Sequence, residues 1–359
     1  MKQYLDLLKR VLINGDPQYN ARTGQLMIVS SGDQCKFDLR KGFPLCTTKA
    51  SAPIRWVAEE VFWMLRGERN AKTLDAKGVD IWNRNAFQYY LKKSGLEKQI
   101  PKNTLKWNQE FNIYQERMRN GIDFNFEDSD LGPIYGFQWR HWPGKNGREN
   151  DQVKNLLDSI KRDPGSRYHT LSAWNVDDLE EMALKPCHAF AHFTITDDAY
   201  LDVHMFQRSC DVYLGVPFNI AQYALMNHLI GIETGFLPRE FIHTYSNVHI
   251  YGGVAPRSNF LKENLRELQE RVKEVNFSDD YLKVREWYLQ NSPAESEGNE
   301  KKDHVPFVLE QLSKTPQTLP AIFIKQIPFF EIIEKPSREV IRLEGYNPLK
   351  WESKAVMAA

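Results

Sequence analysis

The hydrophobic pattern alternates between helical and strand-like stretches. Residues 1–16 (MKQYLDLLKRVLINGD) read as an amphipathic helix. Residues 53–66 (PIRWVAEEVFWMLR) put Ile54, Val57, Val61, Met64 and Leu65 on one helical stripe. Pro53 suits the first turn there and Gly67 follows as a stop. Residues 151–162 (DQVKNLLDSIKR) form another amphipathic helix, ended by Asp163-Pro164. Alternation and aromatic content then predict strands over 168–174, 188–195 and 200–207. Residues 219–234 return to a helix and 237–243 to a strand, and two further strands are expected at 319–325 and 338–343.

Two stretches interrupt this pattern. Residues 88–129 are rich in Lys, Asn, Gln and aromatics without β alternation. Residues 255–317 hold a charged helical run (LKENLRELQERVKEV) and the polar tract NSPAESEGNEKKD, read as an exposed, mobile loop. No internal repeat and no linker separates 20–85 from 130–250. The expectation is one α+β domain spanning 1–359, a mixed β-sheet with packed helices and two insertions at about 88–129 and 255–317.

Composition changes the picture little. A chain of 359 residues that is 42% hydrophobic and 26% charged is ordinary globular material. Lys+Arg and Asp+Glu both number 47, and that balance argues against a large nucleic-acid footprint, so no DNA binding is expected. No run of about 18 apolar residues predicts a membrane span. Asp6, Lys9 and Arg10 break the apolar N-terminus, so no signal peptide is read there. The cysteines at 35, 46, 187 and 210 lack framework spacing, as expected of free thiols in a cytoplasmic chain.

Candidate chemistry centres on Cys187, which follows Pro186 and opens a strand. A lone Cys is usually a small buried hydrophobe. The nearby Gln-Arg-Ser-Cys-Asp segment changes the odds, because an adjacent guanidinium such as Arg208 can depress a thiol pKa. Cys187, His188, His192, His204 and Cys210 raise a zinc reading, but no Cys-x-x-Cys and no His-x-Glu accompanies them, so no metal is expected. His188 and His192 lie an even number apart, on one strand face. No glycine-rich phosphate loop is present, so a phosphate would be held by side chains such as Arg22, Arg167 and Arg208-Ser209. Of Glu59 and Glu60, one must lie close to the apolar stripe of its helix, where a buried carboxylate has a raised pKa suited to proton transfer. Asn219 reads either as a helix N-cap or as a functional amide. His249 and Tyr251 share a strand face with their polar tips together.

These residues resemble the thymidylate synthase family. The matching stretches are Ala21-Arg22-Thr23-Gly24, Phe43-Pro44-Leu45 with Thr47-Thr48-Lys49, Asp130 to Gly136 followed by Gln138-Trp139-Arg140, and Pro186 to Phe190. Gln207 to Asp211, Gly215 to Ala221, His249-Ile250-Tyr251 and Glu344 to Pro348 complete them, in the family's order. The resemblance implies a homodimer formed through its sheet and one-carbon transfer from 5,10-methylenetetrahydrofolate to C5 of dUMP. It implies that Cys187 attacks C6 of uracil, that Glu60 manages protons at O4, and that Tyr135 helps remove the C5 proton. Asn219 would read the uracil edge, and His249 and Tyr251 the ribose. Arg22, Arg208 and Ser209 would hold the phosphate, with Arg167 arriving from the other subunit. Lys49, Trp82, Leu184, Asp211, Phe218 and the C-terminal Ala359 would line the folate site; Asp211 would also border the nucleotide.

Departures from the family pattern are equally visible. A second Arg is replaced in Arg167-Tyr168, Gly-Asp before His249 becomes Ser246-Asn247, Gln25-Leu26 stand in a usual glycine-rich run, and Asn83 follows Trp82. They leave two other readings. One is a phage-type dUMP hydroxymethylase, in which water quenches the exocyclic methylene; the retained Trp82 and Leu184 shield that carbon and favour methylation. The other is a catalytically silent nucleotide-binding protein, which would have no need of a thiol at 187. The implied location is the cytoplasm of a bacterium or of a phage-infected host cell.

Overall fold

The computed structural model describes residues 1–50, 52–102, 104–121, 123–350 and 355–356. Its centre is a seven-stranded mixed sheet. The 15-residue strand Leu237–Tyr251 organises it, pairing in parallel with Tyr200–Asp211 on one side. On its other side, residues 248–251 pair with Gln25–Ser30 and residues 240–245 with Asp33–Asp38, both antiparallel. Beyond Tyr200–Asp211 the sheet continues antiparallel through His188–Thr196 to Thr170–Ser172, and Asp16–Asn20 closes the opposite edge. Parallel neighbours need a crossover, and here it is the helix Gly215–Thr234. That helix is apolar on nearly every side and is buried on nearly every side, as a core helix must be. Gly235 ends it at φ 84°, a conformation glycine adopts without a Cβ penalty.

The helix Ile54–Leu65 packs against this central helix. The stripe predicted for it is buried, and so is most of the rest of its surface, including both Glu59 and Glu60. The Glu59 carboxylate accepts the backbone N–H of Ser337 at 2.7 Å. That contact explains a difference from the sequence reading, because the predicted strand over 338–343 begins as a helical turn, Ser337–Val340, and becomes a strand only at Ile341–Glu344. The predicted strands at 188, 200 and 237 run longer than expected, to Thr196, Asp211 and Tyr251, and the one at 168–174 shortens to Thr170–Ser172.

The two interrupting stretches are built into the core. The boundary at 88 falls inside the helix Asn83–Lys93. Phe87 on that helix meets Trp107, Phe111 and Tyr114 of the helix Leu105–Asn120 at centroid distances of 5.1, 5.8 and 5.0 Å. In the second stretch the helices Arg257–Lys273, Asp280–Asn291 and Val305–Leu312 supply buried Leu261, Leu265, Tyr288 and Leu309. The polar tract is tied down rather than loose. Glu295 accepts the backbone N–H groups of Lys301, Lys302 and Asp303 at 2.7, 3.0 and 2.9 Å.

One face of the sheet is covered by helices. The other carries Phe190, His192, His204, Phe206 and Thr244, with Phe190 43% and Phe206 41% exposed. Among the described residues, no helix is long and apolar enough to cross a membrane.

Candidate active site

Cys187 stands where the chain enters the strand His188–Thr196. Its N–H donates to the Tyr135 hydroxyl oxygen at 2.7 Å, and its carbonyl accepts the N–H of Arg208 on the neighbouring strand at 2.9 Å. The Arg208 guanidinium grips the approach to the thiol: Nε donates to the Pro186 carbonyl at 2.9 Å and Nη2 to the Lys185 carbonyl at 2.6 Å. Burial pushes the Cys187 thiol above its ordinary pKa, against the opposing pull of Arg208, Arg22 and the Tyr135 hydroxyl. The sequence suggested a thiol depressed by arginine. Desolvation wins instead, so Cys187 keeps its proton at neutral pH.

Glu60 is the second unusual acid. It is 7% exposed, and burial raises its carboxyl from 4.5 to about 7, opposed by the indole N–H of Trp82, which donates to Oε1 at 2.8 Å. Oε2 accepts from the amide of Gln222 at 2.7 Å. The oxygen of that amide accepts from Nδ2 of Asn219 at 3.1 Å, while Oδ1 of Asn219 accepts from Nε2 of Gln207 at 3.0 Å. Oε1 of Gln207 can only accept, so Nε2 of the buried His243 donates to it, at 2.8 Å. A continuous ladder therefore runs from His243 through Gln207, Asn219 and Gln222 to Glu60 and Trp82.

Asn219 is not an N-cap. The helix begins at Gly215, so Asn219 lies in its second turn with the side chain in the ladder. The buried His188 also hydrogen-bonds the Asn219 side chain, so outside these contacts its amide retains one N–H. His188 and His192 do not share a face. A bulge between His188 and Phe190 changes the phase of the strand, turning His188 inward and leaving His192 on the open face. The grouping behind the zinc reading is thereby separated, and no set of three or more His, Cys, Asp or Glu among the described residues is arranged to hold a metal.

Other residues singled out from sequence converge to different degrees. Arg22 sits in the exposed turn between Asp16–Asn20 and Gln25–Ser30, close enough to act on Cys187, His249 and Tyr251. Ser209 pairs with Asn247 across the parallel strands. Nδ1 of His249 faces the carbonyl and Oδ1 of Asn247 at 3.1 and 2.8 Å; both only accept, so Nδ1 carries the proton and Nε2 is left as an acceptor. The His249 ring meets Tyr251 edge-on at 5.0 Å. Trp82 lies 6.0 Å from Tyr135, ring to ring. Leu184 and Phe218 are half-buried against the core. Asp211 accepts the N–H groups of Tyr213 and Leu214, both at 3.1 Å, and faces His304. Lys49 is fully buried, its ammonium bonded to the Tyr213 carbonyl and 3.3 Å from that ring's centroid. Burial lowers its pKa to about 8. Arg167 is exposed on the loop after Gln152–Arg162, its carbonyl accepting from His192, and it does not join Arg22 and Arg208 around Cys187 within the protomer. Ala359 lies outside the described residues.

Gln207, Gln222 and His243 were not singled out from sequence. Gln222 carried a usable signal: it lies three residues after Asn219, on the same helical face. His243 carried none, since its role depends on a register set by distant strands.

One end of the sheet, under its helix layer, thus gathers a thiol, a raised-pKa carboxyl and a fixed amide, the groups of an enzyme that works by covalent addition and proton transfer. The chain belongs to the thymidylate synthase family, whose model, described as "Thymidylate synthase", matches residues 2–359. Thymidylate synthases of Listeria innocua serovar 6a and Listeria monocytogenes serovar 1/2a are each 35% identical over 363 residues, covering 97% of this chain and 97% of theirs. A bifunctional dihydrofolate reductase-thymidylate synthase of Zea mays is 37% identical over 292 residues, 79% of this chain and 48% of that protein.

Proposed function

We propose that the protein methylates dUMP at C5, taking the one-carbon unit from 5,10-methylenetetrahydrofolate as co-substrate and giving dTMP and dihydrofolate. The observation that carries this reading is the Asn219 amide. Gln207 donates to its oxygen and Gln222 accepts from its nitrogen, so its direction is fixed and one N–H of Nδ2 is left to donate to O4 of uracil. As Sγ of Cys187 bonds to C6 its S–H proton passes to ordered water, and the electrons of the C5–C6 double bond move toward O4. Glu60, half-protonated near pH 7, manages the proton at O4 through ordered water. Tyr135, whose hydroxyl meets the Cys187 N–H, assists removal of the C5 proton. Arg22, Arg208 and Ser209 take the phosphate, and His249 and Tyr251 the ribose hydroxyl. Trp82, Leu184, Phe218 and Asp211 line the folate side, where Trp82 and Leu184 shield the new methylene from water. Lys49 reaches that side only through its contacts with Tyr213, and Ala359 is assigned there by resemblance alone.

The open sheet face is the proposed homodimer interface, because a monomer rarely leaves a contiguous aromatic patch to solvent. Arg167, on the loop bordering that face, would then serve the partner's phosphate. A cytoplasmic location belongs to the same proposal. Incubation with dUMP and methylenetetrahydrofolate, followed by absorbance for dihydrofolate and mass analysis of the nucleotide, tests it. Tetrahydrofolate with a product one oxygen heavier would replace methylation by hydroxymethylation. No product at all would favour the silent binder.

A further inference from the structure

We propose that Gln222 is the positioning residue that couples base recognition to proton transfer, joining the Asn219 amide directly to the Glu60 carboxylate. The inference rests on the dUMP reading above, in which Gln222 only holds the Asn219 amide, and gives that residue a second role toward Glu60.

The argument starts from direction. Ionised Glu60 only accepts hydrogen bonds, so in that form the 2.7 Å contact has Gln222 presenting its N–H there and its oxygen to Asn219. That oxygen takes one N–H of Asn219 at 3.1 Å and so fixes which end of the Asn219 amide faces which way. The choice matters chemically. Uracil offers an acceptor at O4 and a donor at N3; cytosine offers a donor at N4 and an acceptor at N3. An Asn219 amide rotated by half a turn would exchange its two ends and suit cytosine. Gln207 holds the other side of Asn219, itself anchored by donating to the Ser209 carbonyl at 3.0 Å. Orientation is thus held from two sides, and Gln222 is the side that depends on Glu60.

The coupling runs the other way too. Gln222 is buried, 3% exposed, and its N–H is one of two donors to Glu60, the other being Trp82. The groups packed around Glu60 leave little else to act on it. Glu59, its neighbour on the same helix, turns away to Ser337; Tyr135 lies beyond the Trp82 ring and Tyr223 on the central helix, both held neutral by burial. Burial raises its pKa and the Trp82 N–H opposes that rise; the Gln222 N–H, 2.7 Å from Oε2, likewise stabilises the charged form by its geometry. Removing a donor from so isolated a carboxylate must push its proton affinity up.

Two substitutions separate these roles. Gln222→Met keeps length and helix preference but removes both polar contacts. The apparent pKa of Glu60 in the pH profile of kcat should rise by about one unit, and the dCMP-to-dUMP ratio of kcat/KM should rise about tenfold. Gln222→Glu keeps an acceptor for Asn219 but sets a second carboxyl against Glu60. The ratio should stay within about twofold of the parent while the apparent pKa rises further, because two buried carboxyls share a proton. A merely packing role would lower kcat/KM for both nucleotides and leave the pKa and the ratio unmoved, which overturns the proposal. Infrared titration of the Glu60 carboxyl band, identified by its loss in Glu60→Gln, reads the same shift without turnover. If the wild-type protein consumes no dUMP, the substrate reading falls, yet the infrared shift in Gln222→Met still decides the coupling. Should Gln222→Met fail to fold, the Gln222→Glu profile carries the test alone.

Discussion

Replacing Glu60 with Gln makes the protein more stable at alkaline pH while disabling it. Burial raises the folded-state pKa of Glu60 from 4.5 to about 7. A carboxyl so shifted binds its proton more tightly when folded. Its stabilising contribution is complete below pH 4.5 and is lost as pH rises through 7, a difference of about 3 kcal/mol across that window. Gln stays neutral throughout and still offers an oxygen to the Trp82 indole. Its N–H must contend with that of Gln222, a cost of about 1 kcal/mol that does not vary with pH. The pH dependence therefore carries the test. Urea unfolding of parent and Glu60→Gln at pH 5, 6, 7 and 8, at one protein concentration, should show the variant gaining about 2 kcal/mol or more between the ends of the series. Parallel curves would refute the buried, raised carboxyl. In the same variant kcat should fall by about 10²- to 10⁴-fold, the usual contribution of a positioned acid or base.

Three further outcomes follow from other contacts. Cys187→Ser should abolish turnover while leaving the dUMP dissociation constant within a few-fold by calorimetry; product at the parent's rate would rule out the thiol as nucleophile. Glu59→Ala should cost about 1–3 kcal/mol in urea unfolding, by stranding the Ser337 N–H, and leave kcat within twofold. Phe206→Glu, placing a charge amid the open face, should convert a dimer to a monomer in sedimentation and remove activity with it; an unchanged sedimentation coefficient would send the dimer interface elsewhere.

How far the sequence reaches depends on whether a feature is local. The helix over 53–66 was legible because its apolar stripe is continuous, and Gly67 follows directly after Arg66, the C-terminal cap. Its interior was not, since nothing in Glu59-Glu60 says that both carboxylates are buried, one against Ser337 and one against Trp82 and Gln222. The bulge at His188 defeats a period-two reading by a single residue and moves His192 to the opposite face. The turn at Ser337–Val340 answers to a cap 278 positions away. The polar tract looked loose by composition, yet one carboxylate, Glu295, gathers three of its backbone donors. Cys187, Asn219 and Glu60 could be selected one at a time from sequence; the link from Asn219 through Gln222 to Glu60 depends on how two helices pack, and its extension to Gln207 and His243 on the sheet register.

The two raised acids change how the proposed reaction must begin. Arg208 and Arg22, with the Tyr135 hydroxyl, pull the Cys187 thiol down, and burial already outweighs them. On the proposed pose the same two arginines hold the nucleotide phosphate, whose negative charge offsets their pull. Binding through the phosphate therefore cannot be what turns the thiol into a thiolate. The drive has to come from the base end of the nucleotide, where addition of sulfur at C6 sends charge to O4. That charge is relieved by a carboxyl poised near pH 7, within a ladder that also holds the base-reading amide. Such a site keeps its nucleophile protonated until a correctly oriented uracil is in place. Discrimination at Asn219 and activation of Cys187 are then parts of one event, and Gln222, between Asn219 and Glu60, is where a substitution would pull them apart.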